Sequence, residues 1–420
     1  RLNARGLFSV LKNLCDQLLV TVIRGLNMKN AKRTIAGIAF RNIFTLLILL
    51  SFAAGVFGFE IPKSETKNNE RLKSKIQTRL DDWHSKASFP GATIGVTLAN
   101  GDSFAVSTGY SDRVEKIPMK PTDIMMAGSV GKTYVAATAL RLVNEGRFRL
   151  DDHISKYLGD EQWFNRLPNA KDITIRNLMN HTSGLVRYEM NPRFVKDMLA
   201  NPDRVWKPRE QIAYLFDTKA AFEAGKGWDY SDTNYIVLGI IIEKVTGKKY
   251  YDLAAKHILK PLKLDKTKPQ VGRVIDGLIP GYAGKGHQFG GEDEMLQDGK
   301  YVFNPQWEWT GGGMVTTSEE LSRWAKAMYE GKAFPKELLA EMLTGVDSPQ
   351  LGRGSKYGLG VIIRRTPKGI TYGHSGFFPG FYTDMMYFPE HKIAISIQIN
   401  STVFGDIKRN PAGVLTEIMG

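Results

Sequence analysis

What most constrains this chain is where its strand-like stretches fall: after residue 90 they lie at the two ends, with helical patterns between. ATIGVTLANGDSFAVSTGYSD (92–112) alternates apolar and polar residues around Asn100-Gly101, a strong hairpin signal. Strand patterns return only near the end, in YGLGVIIRR (357–365), FYTDMMYFP (381–389) and KIAISIQIN (392–400). Between them, SVGKTYVAATALRLVNEGRF, starting at Ser129, sets Val130, Tyr134, Ala137 and Leu140 on related faces of a helix that Gly146 ends. Further helical segments are expected at 173–180, 209–217, 233–246 and 250–259; the third is apolar nearly all round and should be buried. Residues 66–86 fit an N-terminal helix, and 265–310 is rich in glycine and reads as loop. The expected fold is α/β: a sheet assembled from both ends, with a helical region inserted at about 135–305.

A chain of 420 residues, 42% of them hydrophobic, can bury a full core. The net charge of +14 raises the question of nucleic acid, but its distribution argues against it. Residues 1–59 carry half of it, eight Lys and Arg against Asp16, and the rest is spread thinly with no dense basic block. No nucleic-acid partner is expected. Cys15 is the single cysteine, so no intrachain disulfide and no cysteine metal site can form.

From Ile43 to Phe59 no residue is charged; Lys29, Lys32, Arg33 and Arg41 precede the run and small residues close it. This layout reads as an export signal cleaved near Gly58, separating 1–58 from a domain over 59–420 and placing the latter in the periplasm or cell envelope. Retained, 43–59 would anchor the protein to the inner membrane. The polar KSETKNNERLKSK that follows argues against a buried helix. Met28, just before Lys29, is the expected true start, with 1–27 upstream of it; an amphipathic helix in 1–27 is the alternative.

Three short constellations carry chemistry. In Ser129-Val130-Gly131-Lys132 the i and i+3 positions share a helix face, so the lysine amine reaches the serine hydroxyl. A neutral lysine there would take the serine proton, and a helix N-terminus beneath the serine favours developing negative charge. Alone the pattern reads as an N-cap serine and a surface lysine. A phosphate loop ending in Gly131-Lys132-Thr133 would need glycine where Met126 stands. In Tyr230-Ser231-Asp232, a tyrosine near lysine can serve in proton transfer, while Ser231 or Asp232 suits an N-cap. In His374-Ser375-Gly376, between two strand-like stretches, a glycine lets a ligand approach the backbone, and the next N–H suits an oxyanion.

In this order the three resemble the S-x-x-K, Y-x-N and K-T-G or H-x-G motifs of serine β-lactamases and penicillin-binding proteins, in particular the class C β-lactamase, D,D-carboxypeptidase and esterase branch. The resemblance covers roughly residues 90–402 and extends to ITIRNLMNHTSGL (173–185), ILKPLKLDKT (258–267) and TGGGMVTTSEEL (310–321). It implies an antiparallel sheet flanked by helices plus a mainly helical domain, with the active site in the cleft. It further implies acylation of Ser129, proton work shared by Lys132 and Tyr230, and an oxyanion hole from the N–H groups of Ser129 and Phe377. No loop glutamate of the class A kind is evident, so deacylation would rest on the Tyr230 side.

Two departures limit the analogy. Asp232 stands where the family has Asn; ionised, it only accepts hydrogen bonds, repels a substrate carboxylate, and can hold Lys132 charged. His374 replaces a lysine and removes a fixed positive charge. Both point away from efficient β-lactam hydrolysis and towards an ester, a D-amino-acid amide or a substrate with a free amine. The expected activity is serine hydrolysis of a small molecule or peptide, peptidoglycan-derived peptides included; the alternative is a non-catalytic envelope or scaffold protein keeping the fold. His153, His181, His257 and His287 show no ligand spacing, so no metal or cofactor is expected, and His181 reads as structural. Trp307 and Trp309 suit either the cleft rim or the core.

Overall fold

A computed structural model describes residues 63–289 and 292–420. The expectations for the export signal or anchor at 43–59, for Met28 and for Cys15 fall outside the described residues. Helix α1 (Lys63–Ser85) leads into a hairpin of β1 (Gly91–Thr97) and β2 (Ser103–Asp112), joined across the Asn100-Gly101 turn, and then a short β3 (Ile117–Pro118). Near the C-terminal end follow β4 (Val346–Asp347), β5 (Lys356–Tyr357), β6 (Ile362–Thr366), β7 (Gly369–Phe378), β8 (Phe381–Phe388) and β9 (Ile393–Ile399). They form one nine-stranded sheet in the order β3-β2-β1-β9-β8-β7-β6-β5-β4, antiparallel throughout. The first and last long strands meet at its centre, with Ile94 opposite Ile397.

Every residue of β1 is buried because both sheet faces are covered. Ala92, Ile94 and Val96 join Ile76, Leu80 and Trp83 of α1 and Val414, Leu415 and Ile418 of the C-terminal helix in one core. The other face of β1 is made of small residues and admits a helix at close range. A side chain at Gly95 would collide with the Ser318 backbone, and Thr97 Oγ1 lies 2.7 Å from Ser322 Oγ.

The second, larger core belongs to the helical region. Helix α2 (Lys132–Asn144) is buried over most of its length; α3 (Asp232–Thr246), nearly all apolar, runs through the interior and ends at Gly247 with φ +64. Helix α4 (Ser318–Tyr329) ties α2 to the sheet: the Tyr134 ring stacks on Trp324 at 4.2 Å, and Trp324 Nε1 donates to Thr133 Oγ1 at 2.7 Å.

Two expectations need correction. The strand expected over 357–365 is broken between Tyr357 and Ile362. Gly360 (φ +75) turns the chain off the sheet, and its N–H donates to Met179 O. A Cβ there would strike Ala136 of α2 and Tyr235 of α3, so glycine is what lets this segment pack on both helices. Likewise His374 lies inside β7 rather than between strands, paired with Met385 of β8. The region 265–310 is mostly irregular, as expected. Its pair Lys268–Pro269 joins a small sheet with Met125–Met126 and Met314–Thr316, which sets the segment entering Ser129.

Candidate active site

Ser129 sits on a 3-10 turn, Gly128–Gly131, that runs directly into α2. Lys132, the first residue of α2, donates from Nζ to Ser129 Oγ at 2.9 Å, as the i, i+3 spacing requires. The lysine is completely buried. Its other contacts are Asp232 Oδ1, in an ion pair, and the carbonyl of Gly311. Burial alone would lower the Lys132 pKa, but the Asp232 carboxylate and the Tyr230 hydroxyl outweigh it and raise the pKa. Lys132 is therefore an ammonium at neutral pH, whereas a base needs the free amine.

Asp232 opens α3, where the helix N-terminus favours a carboxylate. Burial pushes its pKa up, and Lys132 and Arg187 together bring it below the ordinary value. Tyr230, two residues earlier, holds its ring centroid 4.9 Å from Lys132 Nζ. Its hydroxyl is buried against Lys132 and Ser129. Burial pushes the phenol up to about 12, with Lys132 pulling down and Asp232 pushing up. His181 packs on the Tyr230 ring at 4.2 Å and receives hydrogen bonds at Nδ1 from Ser231 N–H and the Asn234 amide, the structural role expected of it.

His374 is buried, with Nδ1 2.6 Å from Ser375 O and Nε2 2.8 Å from Tyr357 Oη. A carbonyl can only accept, so Nδ1 carries the proton and Nε2 accepts from the tyrosine. Burial, with Lys132 nearby, pushes the imidazole down to about 3; the third motif thus supplies no positive charge. Behind it, Arg364 reaches Ser375 Oγ at 2.6 Å and Asp384 at 3.3 Å, fixing β7 against β8.

Two glycines bring β7 onto the Ser129 turn. A Cβ on Gly376 would lie 1.9 Å from Ala127 O and 3.3 Å from Ser129 N. One on Gly128 (φ +52) would lie 2.7 Å from Phe377 N. The amides of Ser129 and Phe377 thereby flank one backbone contact, the arrangement an oxyanion hole needs.

The cleft in front of Ser129 has a volume of about 310 Å³ and brings together Ser129, Tyr230, Asp232, His374, Gly376 and Phe377. It also contains groups that no motif announced. Glu189 is 2% exposed. Its Oε1 accepts from Arg187 Nε at 2.5 Å, and its carboxyl group lies beside that of Asp232. Burial and the nearby Asp232 charge push it up to about 7, against the pull of Arg187. Glu308 accepts from Gln270 Nε2 at 2.6 Å; burial, then Asp232, push it up to about 8. Three carboxyl groups thus line one wall, and Phe289, Trp307 and Phe378 form an aromatic wall, with Trp307 stacked on both. Of the two tryptophans, Trp307 lines the cleft while packing in the core; Trp309 borders a different pocket, beside Ile240. His153, His257 and His287 do not line the cleft.

The loop delivering Glu308 and Gly311 closes onto both helices through glycine. A Cβ on Gly131 would meet Gly312 O at 2.1 Å, and one on Gly239 would meet Thr310 Oγ1 at 2.4 Å. The sequence shows the glycines of TGGGM, but not that they carry a carbonyl to Lys132.

A serine and lysine in hydrogen-bond contact on a helix entrance, beside an antiparallel sheet, define a serine hydrolase of the β-lactamase and transpeptidase fold. The chain belongs to the beta-lactamase family, whose model matches residues 72–417. It is 27% identical to penicillin-binding protein 4* of Bacillus subtilis over 340 residues, 78% of this chain and 71% of that protein. Among solved structures it resembles the D-stereospecific amidohydrolase of a Streptomyces species (26% identity, TM-score 0.70, 82% of this chain and 97% of that one). It also resembles the D-amino acid amidase of Ochrobactrum anthropi SV3 (25% identity, TM-score 0.67, 82% and 99%).

Proposed function

We propose that the protein hydrolyses amides or esters through an acyl-Ser129 intermediate, and that its substrates carry a free ammonium near the scissile carbonyl, D-aminoacyl amides and short D-peptides being the leading class. The observation that carries this reading is Asp232: it faces the cleft beside Ser129, where the family motif has a neutral Asn, and it is held ionised, with Glu189 next to it. A carboxylate at that place repels a substrate carboxylate and attracts an amine. The likeness to a D-stereospecific amidohydrolase and a D-amino acid amidase agrees with it.

The same carboxylate bears on the base. A substrate ammonium beside Asp232 offsets the negative charge that holds Lys132 protonated, so Lys132 releases its extra proton to solvent water more readily. The free amine then takes the Ser129 proton as Oγ attacks the carbonyl. The amides of Ser129 and Phe377 receive the developing oxyanion, and Lys132 returns the proton to the departing amine, with Tyr230 placed to share the transfer. Water then cleaves the acyl-serine ester by the reverse path. The Lys132–Asp232 pair is also the one foothold of a non-catalytic reading, in which the lysine stays charged throughout.

The test is intact mass of the full chain after a fluorophosphonate and, separately, a penicillin, followed by turnover of D-phenylalaninamide and its N-acetyl derivative. We expect a fluorophosphonate adduct on Ser129, and kcat/KM roughly tenfold to a hundredfold higher for the free amine. Equal rates for both amides would remove the ammonium claim; no adduct on folded protein would favour the non-catalytic reading.

A further inference from the structure

The far end of α2 holds a second concave site that shares no residue with the catalytic cleft. Arg141 lies nine residues beyond Lys132, about 13.5 Å along the helix. There a cavity of about 180 Å³ is lined by Arg141, Arg147, Lys248, Lys256 and His257, with Glu145 as its one acid. Among the described residues, none of these four cations is in an ion pair, and Arg141 Nε is shut off from solvent without an acceptor. Cations near helix ends are ordinary where they face the last carbonyls, which accounts for Arg141 at the end of α2 and Lys248 just past α3. It does not account for Arg147, which follows the turn after α2. Lys256 and His257 also lie in a last helical turn, but it is a π-helical one (Ala255–Leu259) that presents both to the same cavity. Such turns are uncommon and recur at functional sites.

Four positive charges against one carboxylate, converging on a hollow of this size, exceed what a single carboxylate ligand would balance. A dianion with several acceptor oxygens meets them, and a guanidinium fork suits its geometry. We infer that this cavity is a binding site for a phosphoryl group, separate from the hydrolytic centre. The same cations act on His257: burial lowers its pKa, and Arg141, Lys256 and Lys248 lower it further, against Glu145.

The experiment follows the His257 imidazole by NMR in the full chain during titration with sodium phosphate, against sodium chloride at matched ionic strength. Vesicles of phosphatidylglycerol against phosphatidylcholine form a second arm. Both are repeated in Lys248→Glu/Lys256→Glu, whose two positions are exposed. We expect saturable perturbation of His257 with a rise in its pKa beyond that given by chloride, since an adjacent anion favours imidazolium. In the double variant, binding should weaken roughly tenfold or more while D-phenylalaninamide turnover is kept. Saturation by free phosphate assigns a soluble phosphate; a response confined to phosphatidylglycerol assigns a lipid headgroup. A response that chloride reproduces, or that the double variant leaves intact, overturns the site.

Discussion

The Lys132 ammonium, wholly buried, lies 2.9 Å from Ser129 Oγ and is at the same time ion-paired with Asp232. One side chain is thus shared between the serine hydroxyl and the carboxylate that keeps it charged. Under the proposed mechanism, activity depends on how that tie is loosened.

Ser129→Ala removes the nucleophile and nothing that the core needs. Fluorophosphonate labelling and turnover should both vanish, a loss of at least about 10³-fold in kcat, with the thermal midpoint little changed. Mass spectrometry and a turnover assay decide this; full turnover in the variant would sink the mechanism.

Asp232→Asn keeps the shape and takes away the charge that raises the Lys132 pKa. The lysine should lose its proton at lower pH, so the acidic limb of kcat/KM against pH should move down. Acylation by penicillin, whose carboxylate Asp232 repels, should rise. Both are read from one set of pH-dependent acylation rates, and an unmoved acidic limb would contradict the role given to this ion pair.

Tyr230→Phe separates catalysis from stability. Among the described residues the hydroxyl meets only Lys132 and Ser129, both site residues, so its loss should change unfolding far less than it changes turnover. If it shares the proton transfer, kcat should fall by about 10²–10⁴.

Gly376→Ala tests the backbone contact. A Cβ would lie 1.9 Å from Ala127 O, so β7 must shift away from the Ser129 turn. A loss of about 10²–10³ in kcat with the protein still folded is the expected result, as for a misplaced oxyanion donor.

Stability should fall as pH rises through the neutral range, because Glu308 is moved from 4.5 to about 8 and Glu189 from 4.5 to about 7. Between the unfolded and folded pKa values the unfolded chain binds fewer protons, so each group removes up to about 1.4 kcal/mol per pH unit. His374, moved down to about 3, acts oppositely: below about 6.5 the unfolded chain gains a proton that the folded one refuses, and stability falls with acid. Glu308→Gln should flatten the alkaline decline in denaturant titrations at pH 5 to 9. An unchanged slope would mean that Glu308 is not held neutral.

The elements and the motif residues were legible in the chain alone. Alternation with a period of two marks β1 and β2, strand patterns mark β8 and β9, the apolar run at 233–246 marks α3, and the three-residue step from Ser129 puts Lys132 beside it, because these are local consequences of strand and helix geometry. Even the Lys132–Asp232 pairing follows from charge, once the family resemblance has brought the two motifs together. The relations between distant backbone segments were not legible there. The break at Gly360, the approach of Gly376 to Ala127 and of Gly131 to Gly312, and the gathering of Glu189 and Glu308 around Asp232 join positions tens to hundreds of residues apart. A glutamate reads the same in a sequence whether solvated or buried; its pKa, and so its part in the chemistry, is set by neighbours that only the folded chain supplies.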